Sequence, residues 1–174
     1  LRARMRAASD QERFEGAAEI RDRIHAVEAT IERQRVVSER PLDRDVFALA
    51  REGNQAEIQM LFVRQGKLLG GTSQPLANVW MDDAEAISSI VSQYYAEDRV
   101  VPDEVLLPVD LEAREALEAF LAERAGRRVR VVAPKRGELA GLVRMAEENA
   151  RGALAKRVQS RESLEQALEE LRGR

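Results

Sequence analysis

From Asp45 onward the apolar residues keep strand spacing three times in succession before helical spacing returns, and that order constrains the fold most. Asp45 to Arg51 (DVFALAR) is a continuous apolar run of strand length, which predicts a central strand buried on both faces. Ala56 to Arg64 (AEIQMLFVR) starts by alternating Glu57 and Gln59 with Ile58 and Met60, and predicts a second strand. Gln65-Gly66 makes a tight turn into a third, Lys67 to Ser73, where Gly70-Gly71 marks a bulge or a weakened edge. Asp82, with Glu85 three residues on, resembles a capping box, and Ala84, Ile87, Val91 and Tyr94 share one helix face to about Glu97. Glu104 to Val109 is the fourth predicted strand. Asp110 is then expected to cap a helix carrying Ala113, Leu117, Phe120 and Leu121 and closed by Gly126. Val129 to Ala133 is the fifth strand, and a long helix from about Glu138 turns Leu139, Leu142, Val143, Ala146 and Ala150 inward. A three-stranded meander followed by two crossovers predicts an α+β or α/β architecture, a mixed five-stranded sheet flanked by helices in the order βββαβαβα.

Ahead of the joint Arg40-Pro41-Leu42-Asp43 the period is helical throughout. Ala17, Ile20, Ile24, Val27 and Ile31 recur every three or four residues, the seam of a helix that packs on a partner, while Leu1, Met5 and Ala8 offer one side of a shorter helix before it. Two helices this short bury too little surface to stand alone, so the opening predicts docking to another protein. A hydrophobic share of 44% supports a real core and 34% charged residues a solvated surface. With no cysteine, disulfides and thiolate-ligated metals drop out, and the lone His25, between seam positions, reads as a solvated or interface residue. A net charge of −3 argues against a protein that coats nucleic acid without specificity. The Arg-rich, polar opening has no secretory pattern, and a cytoplasmic location is expected. The chain begins and stops within helical patterns and reads as a piece of a longer protein.

Ala7-Ala8 followed by Phe14-Glu15, Ala17-Ala18, Ile20-Arg21-Asp22 and Ile24 resembles the UVR motif, found in the UvrB and UvrC components of the bacterial UvrABC excision nuclease and in a few chaperone and adaptor proteins. Asp45-Val46, Ala48 to Gly53, Phe62-Val63-Arg64, Gly66-Lys67-Leu68 and Pro134-Lys135-Arg136-Gly137, with Leu142, Asn149-Ala150 and Leu154, resemble the region after that motif in the UvrC family. The resemblance implies a ribonuclease H-like domain, matching the element order, that lies between two nuclease domains and lacks their chemistry. It also implies that the hairpin binds UvrB, with Phe14 as apolar anchor, Ala17, Ala18, Ile20 and Ile24 as the seam, and Glu15, Arg21 and Asp22 setting register. The domain plan expected is a hairpin over 1–35, a linker over 36–44, the ribonuclease H-like domain over 45–157 and a helical connector over 158–174.

No catalytic residue and no metal or cofactor site is expected in this segment. Two-metal phosphoryl chemistry needs carboxylates converging on cations about 3.5–4 Å apart. The middle of the first strand, Val46 to Ala50, offers no oxygen ligand, and Asp45 and Glu52 at its ends are roughly 20 Å apart. Glu147 and Glu148 fit a solvated helix face, and Trp80 and the Tyr94-Tyr95 pair are expected as core and rim residues. Arg127, Arg128, Arg130, Lys135 and Arg136 form a basic cluster that runs into a helix N-terminus. That cluster suits either contact with a DNA backbone or charge protection of a sheet edge. Two rivals stand beside this reading: an active metal-dependent nuclease using Asp45 or Asp110, and a stand-alone regulatory adaptor.

Overall fold

A computed structural model describes residues 41–172, so the predicted hairpin, Phe14 to Ile24 included, lies outside the described residues. Eight elements succeed one another: β1 (Arg44–Glu52), β2 (Gln55–Arg64), β3 (Lys67–Ala77), α1 (Asp83–Ala96), β4 (Glu104–Leu106), α2 (Arg114–Ala125), β5 (Arg130–Val132) and α3 (Gly137–Arg172). The strands form one sheet in the order β3-β2-β1-β4-β5. β1, β2 and β3 are antiparallel neighbours, and β4 and β5 add in parallel beyond β1. This is the mixed sheet that the order of periodicities predicts.

β1 is central, and its alternate side chains feed two cores. Phe47 joins Ile58, Met60 and Val105 against Ile87, Val91 and Tyr95 of α1 and Leu117 and Leu121 of α2. Val46 and Ala48 join Leu61, Val63 and Leu106 on the other face, against Leu142, Val143 and Ala146 of α3. Each large side chain so buried contributes roughly 1.5–3 kcal/mol relative to exposure. That explains why a run with no polar residue between Val46 and Ala50 sits in the middle of the sheet.

The turn chemistry is local and legible. Gln65 (φ 52°) and Gly66 (φ 72°) both take positive φ, as a two-residue hairpin loop needs. The register of β2 with β3 slips between Phe62 and Val63, placing the bulge at Leu69, beside Gly70-Gly71. A Cβ on Gly71 would collide with the Met60 carbonyl oxygen, so the close strand approach there admits only glycine. Asp82 caps α1 by accepting from the Glu85 N–H at 2.9 Å.

Several boundaries depart from expectation. β3 runs on past Ser73 to Ala77, because Pro75 is tolerated on an edge strand whose outer side has no ladder partner in the sheet order. β4 stops at Leu106 instead of Val109, short of Pro108, which has no N–H to extend the ladder. Asp110 does not cap α2: the N-cap is Ala113, without a side-chain bond, and Asp110 is exposed and paired with Arg114 at 3.4 Å. The helix starts three residues late because Leu111 packs into the core and Glu112 and Ala113 form a turn over it. On α1 the fully buried aromatic is Tyr95, with Tyr94 only half-buried. α3 continues unbroken for 36 residues, about 54 Å, past Arg157 into the segment expected to be a helical connector.

Candidate functional site

The sheet buries five polar side chains among the described residues: Arg44, Asp45, Glu57, Gln59 and Glu104. Three of them are carboxylates, and their partners decide what the sheet can do. Asp45, at the start of β1, faces α1. Tyr95 donates its hydroxyl to Asp45 Oδ2, and Arg64 Nη1 lies 2.6 Å from Oδ1. Burial pushes the Asp45 carboxyl above its ordinary value, against the pull of the Arg64 and Tyr95 hydrogen bonds. Burial, then the Asp45 charge, raises the Tyr95 phenol far beyond its usual range, so it stays a donor.

Glu104 and Glu57 face the opposite side of the sheet, and α3 reaches Glu57. Glu104 accepts from Arg44 Nε at 2.7 Å and from Arg130 Nη2 at 2.5 Å. Glu57 meets Arg157 Nη2 of α3 at 2.8 Å and accepts from the Ser73 hydroxyl. Every buried carboxylate of the sheet therefore carries at least one guanidinium, which removes the free negative charge a cation needs. Register keeps the carboxylates apart as well. Glu104 pairs with Arg44 and Glu57 with Ala50 along β1, a separation of about 20 Å. Asp45 projects to the other face, and Glu52, at the far end of β1, is exposed. Among the described residues no group of three or more His, Asp or Glu is placed to hold a metal ion.

The basic cluster divides in two. Arg127 is spent on structure: it pairs with Asp103 Oδ1 at 2.9 Å and donates to the carbonyls of Val101 (2.9 Å) and Pro102 (3.3 Å). Arg130 is tied to Glu104. Arg128, Lys135 and Arg136 are exposed or half-exposed, the last two in the segment that leads from β5 into α3. Five residues close in sequence thus leave three side chains directed to solvent.

Trp80 is neither core nor rim, since 79% of it is exposed. Asn78, at φ 58°, turns the chain out after β3, and Arg51 clamps the loop beyond that turn. Arg51 donates to the carbonyls of Val79 (3.0 Å) and Met81 (2.7 Å) and pairs with Asp83 at 2.8 Å. α3 sits over β1 and β2 and leaves β3 largely uncovered. A cleft of about 440 Å³ remains there, with Gln59, Gly71 and Ser73 on its floor and Asn149, Gly152 and Lys156 on its helix side. No described helix is long and apolar enough to cross a membrane.

Residues 43–157 match the family model of the UvrC ribonuclease H-like domain, and residues 1–30 match the UvrB/uvrC motif. The UvrABC system protein C of Geobacter metallireducens is 42% identical over 174 residues, spanning 99% of this chain and 28% of that protein. Its counterpart in Desulfatibacillum aliphaticivorans is 40% identical over the whole chain and 29% of its own length. The chain thus spans a little over a quarter of these curated relatives. Among solved structures, ribonuclease H1 of Halobacterium salinarum covers 66% of this chain and 98% of its own at 12% identity, with a TM-score of 0.39. The strand order and the match over both regions, taken together, make the chain a member of the UvrC family that carries its UVR motif and its ribonuclease H-like domain.

Proposed function

We propose that this segment is the non-catalytic centre of a nucleotide excision repair nuclease, docking through its hairpin onto UvrB and orienting neighbouring nuclease domains on damaged DNA. The observation that carries the reading is the arginine pairing of Asp45, Glu57 and Glu104 on two faces of one sheet. A sheet organised in this way is stiff and chemically quiet, which suits a spacer and not a hydrolase. The segment works in the cytoplasm and needs no metal or cofactor of its own. Phe14, Glu15, Ala17, Ala18, Ile20, Arg21, Asp22 and Ile24 form the docking face, in keeping with the motif match over 1–30. Arg128, Lys135 and Arg136 are the side chains left available to a DNA backbone, where they position without reading sequence.

Calorimetric titration of the chain with the C-terminal hairpin of UvrB tests the docking, beside Phe14→Ala. Saturable binding that the variant loses is the expected result. Absence of binding by the folded chain overturns the docking role. Magnesium-dependent cleavage of DNA by the chain, lost in Asp45→Asn, overturns the non-catalytic role.

A further inference from the structure

Trp80 is the single tryptophan of the chain, and Met81 beside it is 44% exposed. Two large apolar side chains on a loop would ordinarily fold back onto the sheet or move freely. Here the backbone on both sides is fixed, by Arg51 on the Val79 and Met81 carbonyls and by the Val79 N–H on the Asn54 carbonyl at 3.1 Å. The indole is presented with its loop already ordered. An anchor of this kind loses little conformational freedom on binding, and tryptophan is enriched among such anchors.

The surroundings decide what docks. Asp82, Asp83 and Glu85, which follow the tip at the start of α1, are all exposed. Arg51, the cation among them, is already paired with Asp83. The positive end of α1, which would otherwise attract phosphate, is occupied by the Asp82 cap and two further carboxylates in its first turn. A nucleic-acid strand laid on Trp80 would bring its phosphates against these carboxylates, of which Asp83 is paired with Arg51. A polypeptide carrying Lys or Arg around an apolar centre meets complementary charge at the rim and an apolar anchor in the middle. We infer that the Trp80–Met81 tip is a docking site for a basic, apolar-centred segment of another protein.

Trp80 reports on its own site, because fluorescence of the full chain comes from no other indole. The probe is an amphipathic helical peptide of leucine and lysine, titrated at physiological salt. A saturable blue shift is expected, and by calorimetry Trp80→Ala weakens binding about tenfold or more. Asp82→Asn, which keeps a competent cap, and Glu85→Gln weaken it severalfold. Val100→Ala, at an apolar side chain 80% exposed elsewhere, leaves affinity unchanged. No shift, unchanged affinity in Trp80→Ala, or equal binding of a leucine and glutamate peptide overturns the proposal. So does quenching of Trp80 by oligothymidylate at similar concentrations, which would mark a base-stacking platform instead.

Discussion

Asp45 illustrates how a single residue's chemistry is set by residues far along the chain. Its sequence neighbours describe an acid at the edge of a strand. Its spatial neighbours, Arg64 and Tyr95, turn it into a buried, partnered carboxylate. Tyr95→Phe removes a donor from that carboxylate without changing the ring, and is expected to cost about 1–3 kcal/mol in urea unfolding. The pH dependence comes from the raised Asp45 pKa. Between the ordinary value of 3.8 and the raised native value, the folded chain holds a proton that the unfolded chain has lost. Asp45 therefore favours the fold most at low pH, and its contribution declines as pH rises through that window and then levels off. The stability of wild type minus that of Asp45→Asn should fall over the same interval. A difference that rises with pH would show that the Arg64 ion pair outweighs burial.

At the scale of elements, β3 and α3 contain glycines with opposite meanings. Gly71 lies where any Cβ would collide with the Met60 carbonyl and the Leu61 side chain, whereas Gly152 on α3 has nothing within 4 Å of that position. Gly71→Ala is expected to lower stability by about 1–3 kcal/mol, since strand backbone must shift. Gly152→Ala is expected to raise stability by up to about 1 kcal/mol through helix propensity alone. Thermal unfolding of the two variants side by side distinguishes them by sign. Gly70-Gly71 pointed to a bulge or a weakened edge, and the register slip beside it is the bulge. The true start of α2 was not legible, because Asp110 has the right residue type for a cap and only the packing of Leu111 moves the helix downstream.

For the whole molecule, α3 is the longest described element, and its first part rests on the sheet. It packs on the sheet through Leu139 to Leu154, and Val158 is its last side chain set against a buried cluster among the described residues. The helix nevertheless runs to Arg172, about 20 Å further. Amide hydrogen exchange should separate these parts, with slow exchange over 140–154 and fast exchange over 159–164, where the described side chains are exposed. Uniform protection along α3 would mean that another surface covers the distal part. Magnesium should leave the melting temperature unchanged, since an ion bound only by the folded state would raise it. A clear rise would return the sheet carboxylates to consideration as metal ligands.

The order of elements, the two-faced burial of β1 and the family are all readable from the residues in a row, because apolar period, turn residues and short motifs are local quantities that survive without coordinates. Glu57 is not readable in that way. Alternation with Ile58 and Met60 describes a solvated face until α3, brought from 100 residues away, covers that face and supplies Arg157. The same holds for Arg127 and Arg130, two of five clustered cations in sequence but structural ion pairs in space. Trp80 makes the converse case, an aromatic expected in the core or at its rim that a clamped loop holds outside. Which charges are free and which apolar groups are uncovered depends on partners distant in sequence, and those meet only when the chain has folded.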